Sequence, residues 1–141
     1  MKNLIALLQK QKQQLDSLIL LLESELHLIS TRDAESLTSV INEKSELLES
    51  IASTDKSVEQ EVEKQPEATS EQAVTDLFDQ INQSLSQCKF RTEINQKAVE
   101  QGQLRLQHLR TLLLESRAKE TMTYDKSGKP KGGSSGKSVT V

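Results

Sequence analysis

An apolar stripe with alternating four- and three-residue steps runs from Val74 to Leu113, and it constrains the fold more than any other feature of the chain. Nine of its twelve positions are apolar when cysteine is counted. The twelve positions are Val74, Phe78, Ile81, Leu85, Cys88, Thr92, Asn95, Val99, Gly102, Leu106, Leu109 and Leu113. This heptad pattern is typical of a helix that packs along other helices in a left-handed bundle. Such a helix, from about residue 70 to 117, would be roughly 70 Å long, so we expect it to need partner helices.

The composition favours a thin bundle of helices over a thick globular core. Only 34% of the 141 residues are hydrophobic, and three are aromatic. A bundle tolerates this composition because each helix buries only a stripe of its surface. Residues 1–118 carry 13 Lys/Arg against 19 Asp/Glu, a net charge of −6, whereas residues 119–141 carry 5 against 2, a net charge of +3. An acidic bundle is a poor binder of nucleic acid, so we expect no nucleic-acid partner.

Two shorter helices precede the long one, and we expect them at about residues 2–29 and 34–63. The stripe of the first comprises Leu4, Leu8, Gln11, Leu15, Leu18, Leu22, Glu25 and Ile29. The stripe of the second comprises Leu37, Ile41, Lys44, Leu48, Ile51, Asp55, Val58 and Val62, with Val40 and Leu47 beside it. Asp33 is placed to cap the second helix, and the short break before it predicts an antiparallel hairpin. The polar members of these stripes weaken the seam, and one or two of them can fix the register.

The predicted fold class is therefore all-α: an elongated antiparallel helical hairpin plus a long third helix, followed by a flexible C-terminal tail. Pro66 interrupts the chain before the third helix, where Thr69 and Gln72 have capping-box spacing. We expect a helical bundle over residues 1–118, with the third helix at about 70–117. Four of the five glycines lie between residues 128 and 136, so residues 119–141 should form a flexible, basic, Gly/Ser-rich tail.

The last turns of the third helix are unusually rich in leucine. Because the second helix spans only about 30 residues, we expect residues from about Gly102 to Arg117 to extend past the hairpin. The leucines there leave no clear polar face on a helical wheel; they are Leu104, Leu106, Leu109, Leu112, Leu113 and Leu114. They could complete the bundle's own core, form a homodimer seam, or bind an amphipathic partner helix in the helix-in-groove manner. Gly102 is interpreted either as a hinge or as a tolerated small residue.

The sequence carries no pattern of residues for catalysis, a metal or a cofactor. His27 and His108 lack a second ligand at useful spacing, and Cys88 is at a stripe position where a small buried hydrophobe is expected. Gly136-Lys137-Ser138 resembles the end of a phosphate loop, but Lys131 occupies the position of its first glycine. We therefore predict a protein that is not an enzyme. Its longest apolar run is far shorter than a membrane span, so we expect no stable membrane insertion and a cytoplasmic location.

The C-terminal tail has the most specific sequence pattern in the chain. Thr121-Met122-Thr123-Tyr124-Asp125-Lys126-Ser127-Gly128 precedes a basic Gly/Ser-rich run that ends in Ser138-Val139-Thr140-Val141. With this tail, with Arg32-Asp33-Ala34 at the start of the second helix, Glu43-Lys44 within it and Asn95 in the third, the chain resembles the FlgN family of flagellar type III export chaperones. The resemblance covers the whole layout.

The resemblance implies a cytoplasmic chaperone that binds the terminal helices of the hook-filament junction proteins FlgK and FlgL, prevents their premature association, and delivers them to the export gate. It implies that the client surface is contributed by Val99, Leu104, Leu106, Leu109, Leu112 and Leu113, and that Tyr124 docks on the gate protein FlhA. Tyr124 could instead fold back onto the bundle. The alternative function is a homodimeric coiled-coil scaffold or adaptor without a dedicated client, and a client-free chaperone could also pair as a homodimer.

Overall fold

The computed structural model describes the backbone of residues 1–126 and the side chains of residues 1–120. It contains α1 (Lys2–Thr31), α2 (Ala34–Lys64), a short 3₁₀-helix (Pro66–Ser70) and α3 (Gln72–Lys126). The chain divides into two units, Met1–Ala98 and Val99–Val141. The predicted all-α fold, a helical hairpin followed by a long third helix, is confirmed. The flexible tail was predicted for residues 119–141. Residues 119–126 belong to α3, so that part of the prediction was wrong, and residues 127–141 lie outside the described residues.

Two residues join α1 to α2, and each has a defined role. Arg32 adopts a left-handed conformation with φ 59°. The N–H groups of Arg32 and Asp33 donate to the carbonyl oxygens of Ile29 (3.4 Å) and Leu28 (3.2 Å), which is the Schellman pattern that ends a helix. The Asp33 carboxylate then accepts a hydrogen bond from the Ser36 N–H at 3.1 Å, so the predicted cap of α2 is confirmed.

The connection between α2 and α3 differs in detail from the prediction. Pro66 begins the 3₁₀-helix, where its missing N–H is not needed. Thr69 Oγ1 donates to the Pro66 carbonyl oxygen, and Gln72 Nε2 donates to Asp76. The capping-box prediction was therefore wrong, because both side chains bond within their own helices. At its far end α3 runs to Lys126 and not to about residue 117, and no glycine or proline occurs between Arg117 and Gly128 to end it earlier.

The hydrophobic core of the first unit is centred on α1. Seven of the eight predicted stripe positions of α1 are buried, namely Leu4, Leu8, Gln11, Leu15, Leu18, Leu22 and Glu25. The other elements contribute smaller residues to the same core: Val58, Ala68, Val74, Ile81 and Cys88. Because α1 supplies most of the large buried side chains, it is the helix around which the first unit is organised.

The predicted stripe of each helix consists of two columns of residues, each of which repeats every seven positions. In α2 and in the first half of α3, one column faces the core and the other is largely exposed. Ile41 and Leu48 of α2 are exposed, while Val40 and Leu47 beside them are partly buried. In α3, Leu85 is exposed, whereas Ser84 one residue earlier is buried. Over these turns both helices are thus rotated by about one residue position relative to the prediction, which leaves Ile41, Leu48 and Leu85 facing away from the core. Val62 and Phe78, in the same columns, still pack against it.

Polar contacts between the helices of the first unit show their relative directions. Gln11 Nε2 donates to Asp55 Oδ1 at 3.0 Å, and Lys44 Nζ to Glu25 Oε2 at 2.6 Å, so α1 and α2 are antiparallel. Asn95 Nδ2 donates to the Leu22 carbonyl oxygen at 2.9 Å. Cys88 Sγ contacts the Leu15 carbonyl oxygen at 3.6 Å with the same separation of 73 residues. That constant separation shows that α3 runs parallel to α1 in this unit.

Candidate partner-binding site

The leucines of the second unit are exposed. The exposed fractions of the five most accessible leucines, and of Val99, lie between 43% and 63%. These residues are Val99, Leu104, Leu106, Leu109, Leu112 and Leu113, the same six that the resemblance to FlgN implies for client binding. Leu114 is partly buried, and no side chain between residues 99 and 120 is buried. The leucines are therefore not part of a core formed by the described chain.

Three of these leucines form a continuous strip along α3. Leu106, Leu109 and Leu113 are separated by three and four residues, so they occupy about 60° of the helix circumference at about 100° per residue. We call these three residues the leucine strip. Leu104 and Leu114 lie elsewhere on the circumference. The strip has the spacing with which one helix packs against another.

An arginine lies on each side of the leucine strip. Arg105 is about 40° beyond Leu109 in one direction, and Arg110 about 40° beyond Leu106 in the other. Both arginines are exposed. Residues 101–114 contain no Asp or Glu, so the surface around the strip is apolar with a positive margin on both sides.

Gly102 lies in the same helix and does not interrupt it. The helix is continuous through this residue, and a Cβ added there would meet no atom within 4 Å. A close helix crossing at Gly102 is therefore absent from the described residues. The hinge interpretation remains a prediction.

Tyr124 lies near the end of α3, but its side chain is outside the described side chains. Neither its predicted role as an export-gate anchor nor the alternative fold-back onto the bundle is tested by the structure.

Sequence reasoning missed several exposed apolar residues in the first unit. They are Ile41, Leu48, Leu85 and Phe90, of which Phe90 is 63% exposed. The stripe assigned three of them to the core, and Phe90 received no role. The neighbouring apolar pair Val40 and Leu47 was the available signal that α2 could bury either of two columns.

The described side chains show no constellation for catalysis or metal binding. His27 and His108 are exposed. Cys88 is buried, as predicted, and burial, with a smaller contribution from Asp16, raises the pKa of its thiol. Within residues 1–120 no group of three His, Cys, Asp or Glu side chains could hold a metal ion. No helix of the described chain is long and apolar enough to cross a membrane.

Comparison with known proteins identifies the family. The family model described as "FlgN protein" matches residues 1–132, nearly the whole chain. The chain belongs to the FlgN family. FlgN proteins are flagellar export chaperones and not a family of enzymes, so the general role of this FlgN protein is in flagellar biogenesis with flagellar protein partners. No curated protein and no solved structure matches the chain.

Proposed function

We propose that this FlgN protein binds the terminal amphipathic helices of the hook-filament junction proteins FlgK and FlgL through the exposed leucines of its second unit. It does so in the cytoplasm, where it prevents these helices from associating before export. The observation that carries the proposal is the exposure of Leu106, Leu109 and Leu113 on one side of a helix with no buried side chain between residues 99 and 120. A client helix laid along the strip would remove these leucines from water.

Burial of these leucines by a client helix would favour binding, but it is not sufficient to offset the free-energy cost of association. Complete burial of a leucine side chain is worth about 1.5–3 kcal/mol, so the three half-exposed leucines of the strip contribute roughly 2–5 kcal/mol. Association costs about 4–15 kcal/mol in lost freedom of motion. The cost equals or exceeds this gain, so contacts beyond the strip must contribute to client affinity and determine which helices bind.

Two aspartates in the strip test the client site. Leu106→Asp with Leu113→Asp should abolish co-purification of FlgK and FlgL, because a client helix would then have to desolvate two carboxylates. Gln107→Asp with Thr111→Asp is the matched control, since it adds the same charge on exposed positions away from the strip. Circular dichroism should show equal helicity for both variants. Undiminished co-purification of the leucine variant would exclude this site.

We further propose that Tyr124 docks on the export gate protein FlhA and so delivers the bound client. A tyrosine offers a large apolar ring and a polar hydroxyl with few rotatable bonds, which suits an anchor residue. Tyr124→Ala should leave FlgK and FlgL binding unchanged and reduce their export, measured as secreted junction protein in culture supernatants. Loss of client binding and export together would point to a structural role for Tyr124.

A further inference from the structure

The two arginines beside the leucine strip occupy the positions that select partners in coiled coils. In heptad notation Leu106 and Leu113 are a positions, and Gly102 and Leu109 are d positions. Arg105 then falls at g and Arg110 at e, the two positions whose charges face the neighbouring helix. Glu100 and Glu115, the nearest acidic residues on either side, are at b and c and point away from such a neighbour.

We infer that the leucine strip accepts a helix whose own apolar stripe is bordered by carboxylates, and that it discriminates against a second copy of itself. This inference rests on the proposed function, because it names the chemistry of the helix that the strip binds. Arg105 and Arg110 are exposed, and residues 101–114 contain no acidic side chain to neutralise them. An acidic border on the partner supplies the missing counter-charge on both sides of the seam.

Pairing of the strip with its own copy brings like charges together in a parallel pair and supplies no counter-charge in an antiparallel pair. In a parallel pair, a g residue faces the e residue five positions further along the other helix, so Arg105 meets Arg110 of the second copy. In an antiparallel pair, g faces g and e faces e. With Leu106 opposite Leu109, Arg105 then faces Leu112 of the second copy and Arg110 faces Gln103. Like charges disfavour the parallel pair, and the antiparallel pair leaves the arginines without a carboxylate, so the strip is selective for a different helix.

Two synthetic peptides test the inference directly. Both have three heptads with leucine at a and d; one carries glutamate and the other lysine at every e and g position. The full-length chain should bind the glutamate peptide about tenfold more tightly than the lysine peptide in low salt, measured by fluorescence anisotropy. The difference should shrink as salt is raised. Equal affinities for the two peptides, or no measurable binding of the glutamate peptide, would overturn the inference.

Charge-reversal variants show whether the peptide preference comes from the two arginines beside the strip or from the net charge of the chain. Arg105→Glu with Arg110→Glu should invert the preference, so that the lysine peptide binds more tightly. Lys56→Glu with Lys97→Glu changes the net charge equally at exposed positions of the first unit and should leave the preference unchanged. If this control shifts the preference as much as the arginine variant does, the inference is wrong.

A single reversal should create a self-association that the natural chain lacks. With Arg110→Glu alone, Arg105 of one copy faces a glutamate of the other in a parallel pair. Sedimentation equilibrium should therefore show about a tenfold tighter dimer for this variant than for either the natural chain or the double reversal. A natural chain that dimerises as tightly as the Arg110→Glu variant would contradict the inference.

The two proposals fail separately. If Leu106→Asp with Leu113→Asp abolishes client binding while the natural chain binds both peptides equally, the client site stands and the acidic border is wrong. If the leucine variant retains its clients, the client site is wrong, whatever the peptides show.

Discussion

Glu25 is a buried carboxylate that links all three helices of the first unit. Its two oxygens accept hydrogen bonds from Lys44 Nζ at 2.6 Å and from Asn95 Nδ2 at 2.8 Å. Glu25 and Asn95 are 6% and 4% exposed, so neither can turn to water. A buried polar layer of this kind adds little net stability, but it penalises every other register of the helices.

Removing the cation from this layer should destabilise the fold. Lys44→Met keeps the aliphatic stem but deprives Glu25 of its ammonium partner, so we expect a loss of about 1–3 kcal/mol in the free energy of unfolding. Urea denaturation followed by circular dichroism measures the change. Lys56→Met, at an exposed position of the same helix, should stay within about 0.5 kcal/mol of the natural chain. Equal stability of the two variants would show that Glu25 does not depend on Lys44.

Cys88 should react slowly with thiol reagents in the folded chain. Burial raises its pKa, so the reactive thiolate is scarcer than in an ordinary cysteine, and the sulfur is also out of reach of the reagent. We expect the rate of reaction with Ellman's reagent at pH 8 to rise by more than about tenfold once urea unfolds the chain. A Cys88→Ala chain with Ser86→Cys, at an exposed position, should react fast without urea. Fast reaction of native Cys88 would show that α3 opens locally.

At the scale of the element, α1 could be predicted from sequence and the faces of α2 and α3 only in part. Seven of the eight α1 stripe positions are buried, although apolar neighbours such as Ile5 and Ile19 lie beside them. In α2, the columns containing Val40 and Ile41 are both apolar, and only packing against α1 selects between them. In α3, Ser84 is buried, and its hydroxyl donates a hydrogen bond to Asp16 Oδ1 at 3.1 Å. The periodicity of hydrophobic residues carries no information about such polar contacts between residues that are distant in sequence.

The leucine-rich end of α3 could be recognised from the sequence as a segment that needs a partner. A segment that is apolar nearly all round needs more cover than one neighbouring helix provides, and the structure leaves it exposed. The arginines on its margin had no predicted role, because a charge beside an apolar strip becomes informative only when the strip is known to be uncovered.

The cap of α2 should make its stability depend on pH in the acid range. The hydrogen bond that the Asp33 carboxylate accepts from the Ser36 N–H lowers the pKa of this carboxyl below its ordinary value of 3.8. The stabilisation by the cap is therefore complete above pH 3.8 and is lost as the pH falls through the lower pKa of the folded state. Asp33→Ala should lower the melting temperature at pH 7 and make a smaller difference at pH 2.5. A difference that is the same at both pH values would contradict a charged cap.

At the scale of the whole molecule, stability and client binding are assigned to different units. Every buried side chain among residues 1–120 lies within residues 1–98. The exposed leucines that we assign to clients all lie in Val99–Val141. A substitution in one unit should therefore change one property and spare the other.

A truncated chain tests this division. Residues 1–98 alone should unfold in urea with nearly the free energy of the full chain, because the truncation removes no described buried side chain. They should also fail to retain FlgK and FlgL. The control is full-length Leu106→Asp with Leu113→Asp, which should match the truncated chain in both respects. A loss of several kcal/mol on truncation would show that residues 99–141 support the core.

The helix that carries the leucine strip has no buried side chain from residue 99 to 120. Its order then depends on backbone hydrogen bonds and on propagation from the turns before it, which weaken gradually with heat. A docking helix must restore whatever order warming has removed, and this adds an unfavourable entropy to binding. The affinity for a client helix should therefore fall steadily as the temperature rises, well before the first unit begins to unfold.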